Sequence, residues 1–469
     1  MSEIISSIFF VAPILLALLV PLLGITWVAV GSRVTWIWVA IYFAFVFYFP
    51  NASWGLVSQA ADTNFYNRGT GALYFSAINI LLFGLALQAL VARSCGKTSM
   101  VKSNLGIPAL LFWLILIGNV LVGCLIPEVH WFEIIGASGL LNIANFMLAF
   151  YILTTCIRNP SDLDKLINVL LFCAITRGIW GLVRYIAMGG DPANFYSNFQ
   201  KIDVTLTFFD INDSLVATLA LFIVSWRLAT ESCLSTRIRF SYYAIVFLEL
   251  FIIVFSYRRT AWGGLALAAI LFAFCQPKKQ RYGLLFSFIS IGLPAIIYKM
   301  LQRSGQSTHG ASFFERLMPD VVSGGQMEMT TGRFSELYAA FLSIKESPII
   351  GLGSWGRYDG SRFSELAWHH GDFGWMHSAV MHLALKSGLL GVAISIAVFI
   401  GVIRYVKHNK DNMPKAQLGI MMAGLAGVLF MLPNWLIGTP VIEYRTMQLM
   451  AFSFALPYMA YAAANQQEA

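Results

Sequence analysis

The residues of this sequence best suited to chemistry are one histidine and a few arginines. His377 stands at the start of an apolar run, directly after the one long polar stretch of the chain. An imidazole there can take a proton from a hydroxyl group near neutral pH. Arg258 and Arg259 are adjacent, and Arg177 and Arg184 lie in another apolar run. Guanidinium groups bind phosphate and stay charged when partly buried. These residues predict proton transfer beside a bound, lipid-borne anionic substrate.

The composition decides which elements position these side chains. Of 469 residues, 58% are hydrophobic and 12% are charged, and the mean hydropathy is +0.71. A soluble core cannot hide so much apolar surface, and repeated apolar runs of membrane-spanning length predict transmembrane helices. We therefore expect an all-α polytopic membrane protein with 12–14 transmembrane helices. The net charge of +8 fits loops facing an anionic leaflet and needs no nucleic-acid partner.

The predicted spans divide the chain into three parts. Residues 1–300 carry transmembrane helices 1–10, residues 301–376 form one long polar insert with short helices, and residues 377–469 carry helices 11–13. The first span is uncertain because prolines and a glycine interrupt it. The predicted spans are 5–30, 33–50, 70–92, 105–127, 138–157, 166–188, 208–226, 240–257, 260–275, 282–300, 377–403, 416–437 and 446–464.

Basic residues predict the orientation. Loops rich in Lys and Arg stay in the cytoplasm, and five such loops alternate correctly along the chain to share one side. They lie near residues 93–102, 158–165, 227–239, 278–281 and 404–415. The insert is then extracytoplasmic, together with the shorter loops at 51–69, 128–137, 189–207 and 438–445. Arg258 and Arg259, in a short outer turn, break the rule, and this marks them as functional candidates.

The insert is expected to contain an amphipathic helix over residues 332–346. Apolar residues recur there with helical spacing, and the helix would end before Pro348. Its apolar face would rest on the outer membrane surface or on the tops of the spans. That face carries Phe334, Leu337, Tyr338, Phe341 and Leu342.

Other interpretations of the candidate residues stay open at this point. Each arginine could pair with an acidic residue or extend to the lipid headgroups, and His377 could be structural. A metal site built from His369, His370, Asp372 and His377 matches no established ligand spacing. We therefore predict no metal ion.

Four stretches, in order, resemble the O-antigen ligase and O-antigen polymerase superfamily. His377-Ser378 followed by Gly388-Leu389-Leu390-Gly391 resembles its His-Asn…Gly-Leu-Leu-Gly helix, with Ser378 replacing the usual Asn. The similarity is clearest over residues 200–400. The other stretches are Ser256-Tyr257-Arg258-Arg259-Thr260-Ala261-Trp262, Asp210-Ile211-Asn212-Asp213, and Gly332-Arg333 through Pro348-Ile349-Ile350-Gly351-Leu352-Gly353.

The resemblance implies a GT-C-like membrane glycosyltransferase that inverts the anomeric carbon and uses neither metal ion nor cofactor. Its donor would be a glycan on undecaprenyl diphosphate, taken at the periplasmic side of the bacterial inner membrane. His377 would be the catalytic base. The diphosphate would be bound by Arg259 and Arg258, with help from Arg333, Arg184 and Arg177.

Members of the family differ in the acceptor that receives the glycan. A ligase places the glycan on lipid A–core, whereas a polymerase places it on another lipid-linked repeat unit, and the helix that begins at His377 favours the ligase. A transporter or flippase would also carry charge within the membrane, but it is expected to have paired broken helices near the midplane. A structural component of an envelope complex is a further alternative.

Overall fold

The computed structural model describes residues 35–49, 77–129, 140–194, 204–231, 233–287, 333–359 and 372–467, with a few isolated positions between them. These ranges contain thirteen α-helices and one pair of short strands. The helices are α1 (Thr35–Tyr48), α2 (Ala77–Ser94), α3 (Gly106–Gly123), α4 (Leu141–Cys156), α5 (Pro160–Ala187), α6 (Ile211–Thr230), α7 (Thr236–Val254), α8 (Arg259–Cys275), α9 (Lys278–Ser287), α10 (Arg333–Ile344), α11 (Ala379–Asn409), α12 (Lys415–Ile437) and α13 (Tyr444–Gln467). The strands are β1 (Tyr358–Asp359) and β2 (Asp372–Phe373).

Five of the described helices are long and apolar enough to cross a membrane, namely α3, α5, α6, α11 and α12. Four shorter apolar helices, within α1, α2, α4 and α8, accompany them. The prediction of an all-α polytopic membrane protein is confirmed. The predicted span at 5–30 lies outside the described residues, as does part of the one at 282–300, so the total of 12–14 stays a prediction.

The centre of the protein is the helix pair α12 and α13. Every residue of α13 from Tyr444 to Ala464 is buried except Tyr461, so the helix is enclosed by its neighbours on all sides. Gly424 and Gly427 of α12 have no space for a side chain, because a Cβ atom on either would lie 2.6–2.7 Å from atoms of α13. Small residues therefore let the two backbones approach closely, as in other membrane helix pairs.

Two pairs of the loops that are predicted to share the cytoplasmic side are joined by hydrogen bonds. The indole Nε1 of Trp226, near the end of α6, donates to the carbonyl of Lys415 at 2.8 Å. Arg158 hydrogen-bonds Ser99 and so joins two other basic loops. The candidate residues lie near the opposite ends of the helices that these loops connect.

The insert helix α10 packs on α11 through a face other than its stripe of large apolar residues, so that stripe does not rest mainly on the spans; contact with the membrane surface stays a prediction. Ala339, Ala340 and Ile344 are buried, whereas Tyr338 and Phe341, from the predicted apolar stripe, are 51% and 45% exposed. The small side chains allow close packing, and the larger ring-bearing side chains are left facing outward. The helix itself is confirmed, with bounds slightly shorter than the predicted 332–346.

A break in α11 receives the next part of the insert. Gly388 has φ 61° and ψ −166°, a backbone conformation that is essentially restricted to glycine. The freed amides of Leu389 and Leu390 donate to the carbonyls of Pro348 and Ile349 at 2.8 and 3.1 Å. The Gly-Leu-Leu-Gly stretch of α11 and the Pro348–Gly353 stretch of the insert are thus joined by backbone hydrogen bonds, and this contact is called the joint below.

Candidate active site

His377 and Glu336 form a pair that joins the insert to the membrane helices. The Nδ1 atom of His377 lies 2.9 Å from the Oε2 atom of Glu336, and the His377 backbone amide donates to Oε1 at 3.3 Å. The carboxylate is buried, whereas the imidazole side chain is 24% exposed. With Nδ1 engaged by the carboxylate, Nε2 is the ring nitrogen left to accept a proton from a substrate, as in other His–carboxylate pairs.

Two further side chains hold Glu336 and its surroundings. The phenol of Tyr358 donates to Glu336 Oε1 at 3.3 Å, and burial together with the nearby carboxylate raises the pKa of Tyr358. The phenol therefore stays protonated and remains a donor. The Nζ atom of Lys386, a buried residue of α11, donates to the carbonyls of Ser354 and Gly356 at 2.9 and 2.6 Å. It fastens the loop leading to Tyr358.

Arg333 is the first residue of α10. Glu336 follows it by three positions, so the two residues lie on the same side of the helix, one turn apart. Arg333 is therefore on the helix that supplies the partner of His377, and its contact with substrate stays a prediction.

Arg258 and Arg259 begin α8 after a strained turn. Tyr257 has φ 57°, a left-handed conformation that is uncommon for residues other than glycine. The turn is held because Trp262 Nε1 donates to the Val254 carbonyl at 3.0 Å and Tyr257 is itself buried. Strain kept at one position by its surroundings is typical of functional sites.

The segment 204–210 gathers three of the predicted arginines around two rings. The guanidinium groups of Arg177 and Arg184 lie 4.3 and 5.5 Å from the ring centroid of Phe208. Arg258 lies 4.3 Å from the ring of Phe209, and its Nε is buried without a hydrogen-bond partner in the described structure. A cationic cluster is therefore present at this end of the bundle, and Arg259 adjoins it.

The two arginines of α5 are paired with acidic residues. Arg177 donates to both oxygens of Asp213 at 3.0 Å, and Arg184 donates to Asp191 at 2.8 Å. Both pairs are buried. The first alternative raised from the sequence, pairing with an acid, thus describes Arg177 and Arg184. Their charge is balanced within the protein, so their predicted contact with substrate stays a prediction.

Arg445, at the start of α13, ties the cluster together. Its guanidinium donates to Asp210 and Asp213 at 2.8 and 2.9 Å, and to the carbonyls of Val46 and Phe47 at 2.8 Å. Those carbonyls belong to the last turn of α1, where helices leave acceptors unsatisfied. One fully buried side chain therefore joins α1, α6 and α13, and through Asp213 it also reaches α5.

Glu443 lies just before α13, beside the same cluster. Its carboxylate accepts hydrogen bonds from the hydroxyls of Thr439 and Thr446. Burial, and then the negative charge of Asp210, raise the pKa of Glu443, while Arg258 acts in the opposite direction. Arg258 and Glu443 therefore interact electrostatically at the start of α13.

Three helices begin within this cluster. Asp210, Arg258 and Glu443 directly precede α6, α8 and α13, and contacts connect all three starts. The N-terminal end of a helix carries partial positive charge and backbone donors. Asp210 already caps the start of α6, because its carboxylate accepts from the amide of Asn212 at 2.9 Å. The start of α8, with Arg258 and Arg259, is therefore the part of this region most favourable for an anion.

The described contacts place the candidate residues in two groups. His377 and Glu336 form one between α10 and α11, and the arginines of α5, α8 and α13 form the other around residues 204–210. The short 3₁₀ helix Pro440–Ile442 contacts both α11 and α13. Among the described residues no group of three or more His, Cys, Asp or Glu side chains is arranged to hold a metal ion. His369 and His370 lie outside the described part.

These features define a polytopic helical membrane protein with a His–Glu pair and a buried cationic cluster at one end. The family comparison adds a more specific finding. Residues 244–396, about a third of the chain, match the family described as O-antigen ligase. The resemblance to the O-antigen ligase and polymerase superfamily is confirmed over this stretch. No curated protein gives a significant match.

The matched stretch contains Arg258, Arg259, Arg333 and His377, and also Glu336. Arg177 and Arg184 lie outside it. Such a family indicates a glycosyltransferase-type membrane enzyme that uses lipid-linked glycans.

Sequence reasoning missed Glu336 and Arg445. Arg445 carried the signal used for Arg258 and Arg259, a basic residue at the outer start of a predicted span, and could have been found from it. Glu336 carried a weaker signal, since an acidic residue on an amphipathic helix is ordinarily solvated. Only the packing of α10 on α11 reveals its role.

Proposed function

We propose that this protein is an inverting, metal-independent glycosyltransferase of the O-antigen ligase type. It transfers a glycan from undecaprenyl diphosphate to an acceptor hydroxyl at the periplasmic face of the bacterial inner membrane. The observation that carries the proposal is the His377–Glu336 pair, which lies in the same matched stretch as Arg258 and Arg259. A base and a diphosphate-binding pair are the two parts that such a transfer needs.

In this proposal His377 activates the acceptor. Nε2 accepts the proton of the acceptor hydroxyl while the oxygen attacks the anomeric carbon of the donor glycan. Glu336 holds the ring through Nδ1 and stabilises the imidazolium that forms. The bond between the anomeric carbon and the diphosphate oxygen breaks, and attack from the opposite face inverts the configuration.

The leaving group is undecaprenyl diphosphate, whose negative charge grows as the bond breaks. Arg258 and Arg259 neutralise that charge at the start of α8, whose N-terminal end adds its partial positive charge. Arg333, beside the His–Glu pair, closes over the diphosphate or the acceptor. We assign Arg177 and Arg184 a supporting part, because their acidic partners fix the segment on which Arg258 rests.

The test is glycan transfer in proteoliposomes that contain a lipid-diphosphate-linked glycan and an acceptor. His377→Ala and Arg259→Ala are expected to fold and to lose transfer by about 10²-fold or more. His408→Ala, at the exposed far end of α11, is the matched control and is expected to keep the wild-type rate. Normal transfer by the first two variants would overturn the assigned roles, and passage of the glycan across the bilayer with its diphosphate bond intact would favour a transporter.

The same assay separates the two acceptor classes. A ligase is expected to use lipid A–core and to leave a mixture of donor and acceptor glycans unpolymerised. A polymerase would lengthen the lipid-linked glycan without lipid A–core. Both depend on the same donor site, so the acceptor result does not alter the proposed roles of His377 and Arg259.

A further inference from the structure

The turn Pro348–Ile350 of the insert is an exposed apolar surface. Ile349 and Ile350 are 69% and 68% exposed. Single exposed apolar side chains are ordinary, but these two adjoin Leu389 and Leu390, which are 60% and 43% exposed. The backbone bonds across the α11 break join the two pairs directly. The four side chains therefore belong to one surface, which continues that of a membrane-spanning helix.

The depth of this surface follows from the length of α11. Leu390 precedes Arg404 by fourteen positions, which is about 21 Å along a helix. A hydrocarbon layer is about 30 Å thick, and the basic group containing Arg404, Lys407 and Lys410 marks one boundary of it. Leu389 and Leu390 thus lie within the layer, near its other boundary. The turn bonded to them lies at the same level.

Irregular backbone is tolerated at that level only if its polar groups are satisfied. Four backbone groups of the turn and of the two residues after it are bonded. The carbonyls of Pro348 and Ile349 accept from α11, the amide of Gly351 donates to Ser347 at 2.9 Å, and the amide of Leu352 donates to Leu385 at 2.8 Å. The break in α11 supplies the partners that lipid cannot provide.

We propose that the Pro348–Ile350 turn is a membrane anchor of the insert that binds the acyl chains of the outer leaflet. Lipid is the occupant favoured over a second protein copy, because the surface is continuous with the lipid-facing side of α11. Lys345 and Glu346, which precede the turn and are exposed, lie at the headgroup level. The anchor fixes the height of α10 and hence of Glu336 beside His377. The inference requires only that α11 spans the membrane, so it stands independently of the proposed reaction.

The test uses a spin label on the full-length protein in lipid bilayers. Exposed Cys95, Cys124 and Cys233 are replaced by Ser, and Ile350→Cys carries the label. Leu390→Cys is the reference for hydrocarbon and Lys345→Cys the reference for the polar surface. The ratio of collision rates with oxygen and with a water-soluble nickel chelate is expected to be several-fold higher at position 350 than at 345, and close to that at 390.

Two results would overturn the anchor. Preferential collision with the nickel chelate at position 350 would show that the turn faces water. Low rates with both reagents, accompanied by dipolar broadening, would show contact with a second copy. Ile349→Cys is measured in parallel, so that a folding defect of one variant does not leave the question open.

Discussion

Glu336 Oε2 lies 2.9 Å from His377 Nδ1, and this contact joins a helix of the polar insert to the start of a membrane span. The two residues are 41 positions apart in the chain. Their pairing means that the insert is part of the candidate active site and does more than cover it.

Replacing Glu336 by Gln tests that pairing. The amide removes the negative charge that stabilises the imidazolium while keeping the shape of the side chain. A positioned base contributes about 10²–10⁴-fold to a rate, and we expect Glu336→Gln to lose about tenfold to hundredfold of transfer. The measurement is the initial rate of glycan transfer at saturating donor. Glu346→Gln, an exposed acid just after the same helix, should transfer at the wild-type rate, and equal rates for both variants would refute the role of Glu336.

Arg445→Met should destabilise the protein strongly. The change leaves Asp210 without one cationic partner and Asp213 with Arg177 alone. Removing one member of a buried ionic group typically costs about 3 to 5 kcal/mol. The free energy of unfolding in detergent is the measurement. Because Asp213 and Arg445 share one network, adding Asp213→Asn should cost less in the Arg445→Met background than alone. Additive losses would show that the two residues act independently.

Gly388→Ala should disrupt the joint between α11 and the insert. A Cβ atom there would lie 2.2 Å from the Ile349 carbonyl oxygen, in a backbone conformation that alanine avoids. We expect a loss of at least about 1 to 3 kcal/mol of stability together with reduced transfer. Gly118→Ala, where a Cβ atom meets nothing within 4 Å, is the control. A Gly388→Ala protein as stable as this control would contradict the described geometry.

Glu443 predicts a specific dependence of stability on pH. Its pKa is raised in the fold above the ordinary value of 4.5, so the folded state holds a proton that the unfolded state releases. Stability therefore falls as pH rises from about 4.5 to the raised pKa, and is constant above it. Glu443→Gln removes this contribution, and its midpoint of thermal unfolding should fall less over that interval than that of the wild type. Identical curves for the two proteins would rule out a raised pKa.

The positions of the helices could be predicted from the sequence, because apolar runs bounded by charged loops report directly on membrane insertion. α11, for example, was predicted over 377–403 and is observed over Ala379–Asn409. The insert helix was found by its periodicity, although its buried face was not. Ala339 and Ala340 carry little hydrophobic signal, and the larger side chains of Tyr338 and Phe341 dominated the pattern.

The partners of the charged residues were beyond sequence reasoning. Asp213 is 36 positions from Arg177, and Asp210 is 235 positions from Arg445. No local spacing links such residues. The sequence therefore shows that Arg177 is a costly buried charge, but it does not show that Asp213 is the acid that offsets this cost. Charge alone therefore predicted where a site lies but not which arginines are available to a substrate.

The central place of α13 has a consequence for biogenesis. This helix follows in the chain all the helices that it packs against, and Arg445 satisfies carbonyls of α1 nearly 400 positions earlier. The earlier spans are thus synthesised and inserted before their main packing partner exists. Final assembly must then take place within the bilayer after residues 444–464 have left the ribosome, and a chain halted before that point would present Asp210 and Asp213 to lipid without their shared counter-ion.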